Sequence, residues 1–436
     1  MTTFTAAVYQ NEYLPPDGSE VNAIVTVTSD VGGPDAGVGG RDAGAPASAP
    51  ETAEIVIIDT SGSMAVPRRK IKAAREATSA AIDCIRDGVA FGVIAGTDRA
   101  QLIYPSSPEL ATATAATREE AKRWVRSLKA GGGTAIGSWL TLALGLFETV
   151  PGRVCHAILL TDGENQNETP QELDAVLARC EGRFQCDCRG VGTDWQVSEL
   201  RRIASVLLGT VNIIPDPAEM ADDFRLMIES AMSKATGSIS LRLWTPQGAH
   251  VAFVRQVAPT IEELTDRAVE VNALTSDYPT GAWGRESRDY HLCIKVQPRG
   301  LGEEMLAGRV TLVEGDSVLG QDAKIRAIWT EDRQLSTRIN REVAHYTGQA
   351  ELAECIQEGL EARRAGDEAN ATFKLGRAVQ LASESGNEGT MRLLRAVVDV
   401  EDASTGTVHL RRDVAEVDEM TLDTRSTKTV RVGRPA

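Results

Sequence analysis

The stretch Glu54–Met64 reads EIVIIDTSGSM and joins an apolar run to a polar turn. Residues 55–58 are Ile, Val, Ile and Ile, a pattern typical of a strand that is buried on both faces of a sheet. Asp59, Ser61 and Ser63 follow at once, so a carboxylate and two hydroxyls stand at alternate positions. Open α/β sheets bind ligands where strands end in loops, and Mg²⁺ or Mn²⁺ prefers hard oxygen ligands. The stretch therefore predicts a divalent-cation site at the end of a buried strand.

Two later stretches supply oxygen ligands in a similar setting. Residues 131–137 read GGGTAIG and place Thr134 just ahead of a helical pattern, and residues 158–163 read ILLTDG and end an apolar strand at Asp162. With DTSGS, these stretches resemble the three motifs of the von Willebrand factor A family's metal-ion-dependent adhesion site. Those motifs are Asp-x-Ser-x-Ser, a threonine in a glycine-rich loop and a strand-end Thr-Asp-Gly. Three motifs in this order are far more specific than one, and the resemblance covers residues 52–235.

The resemblance implies that Asp59, Ser61, Ser63, Thr134 and Asp162 surround one cation, expected to be Mg²⁺, with Mn²⁺ or Ca²⁺ as alternatives. At most two carboxylates would face the divalent charge, and Mg²⁺ keeps coordination positions for oxygens from outside. An aspartate or glutamate of a partner protein can fill such a position. We therefore expect a metal-dependent interaction protein that acts as a scaffold in a bacterial signalling or stress-response complex.

Enzymatic activity is not expected, and no catalytic residues are assigned. Ser61 and Ser63 have no recognisable His/Asp partners, and the Gly131–Gly133 run lacks the Lys-Ser/Thr of a phosphate-binding loop. His156 begins the strand before Asp162, where a core role is favoured over that of a base. A metal-dependent hydrolase is kept as the less favoured alternative.

Composition narrows the partners and the compartment. The 436 residues carry 46 Lys and Arg against 62 Asp and Glu, a formal charge of −16, which disfavours nucleic acid and anionic membranes. The first ten residues have no signal-peptide pattern, and no apolar run approaches the length of a membrane helix. The seven cysteines are odd in number and scattered, so a cytoplasmic protein is predicted. Cys180, Cys186 and Cys188 are expected to be buried free thiols rather than a zinc site.

The periodicity of the chain predicts an α/β fold with a doubly wound, mainly parallel sheet of the Rossmann-like type, inserted in or joined to a β-sandwich. A small C-terminal helical domain follows. The alternative for the first strands is that they extend the edge of the α/β sheet. The predicted parts are sandwich strands at 1–29, a Gly/Pro/Ala linker at 30–51, the A domain at 52–235, the sandwich at 236–333, the helical domain at 334–402 and a disordered tail at 403–436.

The tail contains a threonine cluster in DTRSTKTV, and Thr424, Thr427 and Thr429 are predicted phosphorylation sites. The cluster is similar to the threonine motifs that bacterial Ser/Thr kinases modify and that forkhead-associated domains read; a merely solvating tail is the alternative. The resemblance also implies a genetic context, because genes for bacterial A-domain proteins are commonly neighbours of genes for MoxR-type AAA+ ATPases. An accessory role to such an ATPase is therefore the alternative function.

Overall fold

A computed structural model describes residues 4–30, 52–66, 69–234 and 236–432. Apart from Asp30, the predicted linker lies outside these residues. The chain divides into two compact units. One combines the N-terminal strands with Ser238–Thr280 and the chain from Gly284 onward, and the other is centred on the predicted A domain.

The strands that precede the A domain do not extend its sheet. They are β1 (Phe4–Gln10), β2 (Tyr13–Leu14) and β3 (Glu20–Ser29). Their partners come from the sandwich, as described below.

The second unit alternates strands and helices as predicted. Its strands are β4 (Thr52–Asp59), β5 (Ala90–Gly96), β6 (Ala100–Tyr104), β7 (Ala111–Thr112), β8 (Val154–Thr161), β9 (Gln185–Val191) and β10 (Val211–Ile214). Its helices are α1 (Arg69–Cys84), α2 (Ala115–Ser127), α3 (Ile136–Phe147), α4 (Pro170–Cys180), α5 (Val197–Val206) and α6 (Met220–Met232), with 3₁₀ turns at Gly62–Ala65 and Pro217–Glu219.

The sheet of this unit has the strand order β10-β9-β8-β4-β5-β6, with β7 also paired to β5. Strand β4 lies between β5 and β8 and is parallel to both, and β8–β9 and β9–β10 are parallel as well. Only β6 and β7 run antiparallel to their neighbour in the described sheet. All eight residues of β4 are buried, which is why its sequence is a continuous apolar run and does not alternate. On one face of the sheet, side chains of α1 and α6 pack on Val56 and Ile58.

The other unit contains two sheets. Its further strands are β11 (Thr236–Trp244), β12 (His250–Ala258), β13 (Glu262–Glu263), β14 (Val269–Asn272), β15 (Thr275–Trp283), β16 (Ser287–Lys295), β17 (Glu304–Glu314) and β18 (Ser317–Trp329), with a 3₁₀ turn at Thr265–Arg267. The orders are β1-β3-β16-β12-β13 and β14-β15-β11-β17-β18-β2. Strand β3 pairs with β16 and β2 with β18, so both sheets take strands from before the A domain. A Cβ on Gly308 of one sheet would lie 2.6 Å from Ile294 Cδ1 of the other, which shows how closely the two sheets pack.

The chain then forms α7 (Arg333–Ser336), α8 (Arg341–Arg364), α9 (Glu368–Glu384) and α10 (Glu388–Val397). Gly366 and Gly386 end α8 and α9 with φ of 79° and 65°, a conformation that favours glycine. Asp367 and Asn387 then cap the helices that follow. Leu352, Leu375 and Leu394 from the three long helices share one core.

The prediction of a disordered tail at 403–436 is wrong for the part that the structure describes. A hairpin of β19 (Val398–Asp402) and β20 (Thr407–Leu410) is followed by α11 (Glu416–Arg425), and Val408 and Leu422 enter the helical core. Beyond α11 the chain runs beside the end of β12, where Ile261 N donates to Thr427 O at 2.8 Å. The segment lacks periodicity because it is anchored through backbone hydrogen bonds and a few apolar side chains.

In the described part of the chain, no helix combines the length and the apolar character that crossing a bilayer requires.

Candidate metal site

Two adjacent parallel strands bring the predicted carboxylates together. Ile58 of β4 is in register with Leu160 of β8, so the residues that follow, Asp59 and Thr161, end neighbouring strands at the same edge. Thr161 Oγ1 donates to Asp59 Oδ2 at 2.6 Å, and Asp162 is the next residue along the chain. The site therefore lies at the carboxyl edge of the sheet, as the sequence predicts.

The serines close the gap between the two carboxylates. Ser61 Oγ lies 2.9 Å from Ser63 Oγ, and Ser63 Oγ donates to Asp162 Oδ1 at 2.6 Å. The backbone N–H of Ser61 donates to Asp59 Oδ1 at 2.7 Å, which turns the loop back over the end of β4. Four of the five predicted residues thus form one continuous chain of polar contacts.

Thr134 joins the same cluster from the glycine-rich loop. A Cβ built on Gly163 would lie 3.0 Å from Ser63 Oγ and 3.7 Å from Thr134 Oγ1. The two hydroxyls therefore face the same point above the end of β8, and a glycine at 163 leaves room for this approach. All five predicted residues converge.

Backbone contacts between the first two loops fix this convergence. Gly131 N donates to Thr60 O at 2.7 Å, and Gly62 N donates to Gly132 O at 2.9 Å. Gly132 has φ of 87°, which a residue with a side chain adopts only with strain. Glycine at 132 is therefore required by the conformation of the loop that carries Thr134.

Three residues that the sequence did not point to support the glycine-rich loop and the start of α3 through hydrogen bonds. Asn167 Oδ1 accepts from Thr134 N at 3.0 Å, Glu168 accepts from Gly137 N and Ser138 N at 2.7 and 3.0 Å, and Asn165 Oδ1 accepts from Ile136 N at 3.1 Å. They satisfy the free N–H groups at the start of α3. The run NQNE at 165–168 is rich in capping residues, but the helix that it caps lies earlier in the chain, so local spacing gives no signal.

Lys70 is the other missed residue. Its Nζ lies 2.7 Å from Asp162 Oδ2 and 3.1 Å from Asp194 Oδ2, and the lysine side chain is nearly buried while that of Asp194 is exposed. Burial lowers the pKa of the Lys70 ammonium, but the carboxylates of Asp162 and Asp194 together outweigh burial, so the pKa lies above its usual value. Lysine at the first turn of an ordinary amphipathic helix gives no sequence signal of this role.

Asp59 is a fully buried carboxylate of the cluster. Burial raises its pKa to about 6, although hydrogen bonds from Ser61 and Thr161 act in the opposite direction. A buried carboxylate with a raised pKa, a second carboxylate and three converging hydroxyls make a donor set of hard oxygens that fits a divalent cation. In the described residues, no trio of His, Cys, Asp and Glu side chains is placed to hold a metal ion. A metal site in this cluster would therefore depend on the hydroxyls of Ser61, Ser63 and Thr134 as well as on the two carboxylates.

His156 is not part of this cluster. Its Nδ1 lies 2.9 Å from Glu54 Oε2 and its Nε2 lies 3.0 Å from Asp187 Oδ2, so the ring bridges two carboxylates inside the domain. Burial lowers the pKa of His156, but the two carboxylates raise it to about 10. The predicted core role of His156 agrees with this geometry. Cys180, Cys186 and Cys188 are buried free thiols.

The predicted phosphorylation sites lie apart from the metal cluster. Thr424 is buried in α11, with 1 % of its surface exposed, and Thr427 and Thr429 are half-buried. Thr429 Oγ1 donates to Val257 O at 2.7 Å. A kinase would have to release this segment before it could reach these hydroxyls.

Taken together, these features define a class: an α/β domain with an oxygen-rich polar cluster at the carboxyl edge of a mainly parallel sheet. Two family descriptions match the chain, "von Willebrand factor type A domain" over residues 53–213 and "von Willebrand factor type A C-terminal domain" over residues 380–426. The second match includes part of the region that was predicted to be disordered.

The relatives support the same assignment. A structure described as von Willebrand factor type A from Catenulispora acidiphila is 48% identical, covers 99% of this chain and 98% of its own, and has a TM-score of 0.92. The ArnB paralog VWA2 from Sulfolobus acidocaldarius shares the fold at a TM-score of 0.57 and 16% identity, over 98% of this chain and 99% of its own. The protein belongs to the von Willebrand factor type A family.

A curated relative, the uncharacterized protein sll0103 from Synechocystis, is 29% identical over 221 residues, which are 49% of this chain and 50% of that protein. The chain thus matches about half the length of this curated relative. Domains of this family generally mediate protein–protein interaction.

Proposed function

We propose that this protein is a metal-dependent protein-binding module that captures an acidic side chain of a partner. The observation that carries the proposal is the convergence of Asp59, Ser61, Ser63, Thr134 and Asp162 at one edge of the sheet. The site is preorganised, because backbone hydrogen bonds lock the DTSGS and glycine-rich loops together. A preorganised site binds its ligand without a large ordering cost.

The balance of charge explains why the partner's residue should be acidic. The cluster supplies two carboxylates, and one of them, Asp162, already has a cationic partner in Lys70. A divalent cation held there supplies a coordination position for an outside carboxylate oxygen. The residues of the chain position that ion, and the incoming carboxylate completes its neutralisation. Mg²⁺ is the proposed physiological ion.

A binding role fits the site better than a hydrolytic one. Ser61 and Ser63 hydrogen-bond to each other and to Asp162, and the imidazole of His156 is occupied by two other carboxylates. A nucleophile in this cluster would therefore lack a histidine base. The proposal is accordingly a non-catalytic one.

The experiment is a Mn²⁺ titration of the full chain, followed by capture of partners in Mg²⁺ or in EDTA with identification by mass spectrometry. Asp59→Ala and Thr134→Ala should each lower Mn²⁺ affinity at least tenfold and abolish the Mg²⁺-dependent capture. Asp222→Ala is the matched control, because Asp222 is an exposed aspartate of α6 in the same unit. Mn²⁺ affinity and capture that are the same in all four proteins would refute the proposal.

The predictions of an ATPase partner, of phosphorylation and of the cellular compartment stay predictions. Association with a MoxR-type ATPase should appear as co-purification that depends on ATP. Phosphorylation at Thr424, Thr427 or Thr429, followed by binding to a forkhead-associated domain, should appear by phosphopeptide mapping. Cytoplasmic localisation is proposed on the sequence features alone.

A further inference from the structure

We propose that Lys70 competes with the divalent cation for Asp162, and that Asp194 is the acceptor to which its ammonium transfers when the ion binds. The inference rests on the proposed function, because it concerns the same site. It assigns Lys70 as a positioning residue that sets metal affinity. It also assigns Asp194 a role in the site, although Asp194 belongs to none of the three motifs.

The positive charge of Lys70 lies on one side of the Asp162 carboxylate. Lys70 Nζ contacts Asp162 Oδ2, whereas Ser63 Oγ contacts Oδ1 of the same carboxylate. The two oxygens of Asp162 therefore face different partners, with the hydroxyl cluster on one and a fixed positive charge on the other. A divalent cation near Oδ1 would lie within a few ångströms of this ammonium, where like charges in a nearly buried setting repel strongly.

Asp194 offers the Lys70 ammonium an alternative acceptor. Asp194 Oδ2 lies 3.1 Å from the same Nζ, and its side chain is 69% exposed while that of Asp162 is fully buried. The ammonium can therefore move toward Asp194, and toward solvent, without losing an anionic partner. Gly192 lies beside the lysine side chain, since a Cβ there would be 3.8 Å from Lys70 Cε.

A buried tryptophan supports the loop that carries Asp194. Trp195 is buried, its Nε1 donates to Gly192 O at 2.9 Å, and a Cβ on Gly190 would collide with its ring. The loop after β9 is thus held in place by an aromatic anchor next to Asp194. The anchored backbone keeps Asp194 within reach of Lys70, and the lysine is the element proposed to move.

The test measures the affinity of the full chain for Mn²⁺ alone. Lys70→Met removes the charge and keeps the length of the side chain, and it should tighten Mn²⁺ binding at least tenfold, equal to about 1.4 kcal/mol. Lys70→Gln should act in the same direction and serves if the Met variant does not fold. Lys70→Arg keeps the charge and should stay within about threefold of the unmodified protein, because charge is the proposed cause. Lys72→Met is the matched control, since Lys72 is an exposed lysine of the same helix, and should change affinity less than about twofold.

A double-mutant cycle tests the transfer. Asp194→Asn should weaken Mn²⁺ binding at least threefold in the unmodified protein, because the ammonium then has no second acceptor. In the Lys70→Met background the same substitution should change affinity less than about twofold, since an exposed carboxylate alone is screened by solvent. An equal effect in both backgrounds would mean that Asp194 acts only as a distant negative charge, and it would overturn the transfer.

Unchanged or weaker Mn²⁺ binding in Lys70→Met would overturn the competition, as would tightening of equal size in Lys70→Arg. If Asp59→Ala abolishes binding while Lys70→Met leaves it unchanged, the metal site stands and only this inference fails. If neither the unmodified protein nor Lys70→Met binds Mn²⁺, the proposed function fails together with the inference.

Discussion

Replacing Asp59 by asparagine should stabilise the metal-free protein while it abolishes metal binding. Asp59 is fully buried, and its carboxylate accepts one backbone and one hydroxyl hydrogen bond. An asparagine can keep both contacts. Its Oδ1 accepts from Ser61 N, and its Nδ2 can donate to Thr161 Oγ1, whose own proton can turn to Gly163 O at 3.2 Å. The substitution therefore removes the buried charge without leaving a polar atom unpaired.

The magnitude follows from the pKa of Asp59, which burial raises from 3.8 to about 6. Below pH 3.8 the group is protonated in the folded and the unfolded states. Between pH 3.8 and 6 the unfolded chain releases a proton that the folded protein retains, so unfolding becomes easier as pH rises. A tenfold change in proton affinity corresponds to about 1.4 kcal/mol, and the full cost above pH 6 is therefore about 3 kcal/mol.

The assay is urea denaturation of the unmodified protein and Asp59→Asn in EDTA from pH 4 to pH 8. The advantage of the variant in free energy of unfolding should be small at pH 4 and should reach about 3 kcal/mol by pH 7.5. Saturating Mg²⁺ should then stabilise the unmodified protein and leave the variant unchanged. The control Asp222→Asn should show no pH-dependent advantage. A difference between Asp59→Asn and the unmodified protein that is flat across this range would refute the reasoning.

Three further predictions concern other parts of the fold. His156→Leu should lower the free energy of unfolding by about 3–5 kcal/mol in urea titrations, because it leaves the buried carboxylate of Glu54 and the half-buried carboxylate of Asp187 without their cation. Since the pKa of His156 is raised from 6.5 to about 10, its contribution is full below pH 6.5 and should be lost as pH rises through 10. Gly133→Ala should weaken Mn²⁺ binding at least tenfold, because its Cβ would lie 2.0 Å from Asn167 Oδ1, while Gly145→Ala, with open space around it, should not. Thr429→Val should cost about 1 kcal/mol and speed amide exchange in the C-terminal segment.

Each of the three predictions, for His156, Gly133 and Thr429, would be contradicted by one specific result. Stability of the unmodified protein that does not fall from pH 7 to pH 10 would argue against a charged His156. Equal metal affinity in the Gly133 and Gly145 variants would show that the position of Thr134 does not matter. Unchanged amide exchange in the Thr429 variant would mean that its hydroxyl does not anchor the segment.

The fold and the centre of the site were readable from the sequence because both rest on local patterns. The continuous apolar run of Ile55–Ile58 predicts a strand covered on both sides, and β4 is that strand. Asp59, Thr134 and Asp162 each lie at or next to the end of a regular element, so the order of strands and helices is enough to bring them to one edge. That the first strands join the sandwich also followed, since alternating strands with no neighbour must find partners elsewhere; the particular pairing of β3 with β16 is known only from the structure.

The supporting residues could not be predicted, because their partners are distant in sequence. Lys70 meets Asp162 and Asp194 although they follow strands β8 and β9, far later in the chain, and Glu168 caps a helix that precedes it. The C-terminal segment was misjudged for a related reason. Its few apolar residues, such as Leu422, are too sparse to show a period, yet a preformed core buries them completely.

The interrupted sandwich has a consequence for how the protein is made. Thr28 and Ser287 share a hydrogen bond across 259 positions of chain, and the whole of the A domain is synthesised between them. At roughly 5–20 residues per second on the ribosome, β1 and β3 must wait on the order of ten seconds or longer for β16. The A domain, whose sheet is built from the consecutive strands β4–β10, can form that sheet during the pause. A nascent chain halted after residue 237 would thus leave a hairpin with an unpaired edge, a natural target for chaperones or for aggregation.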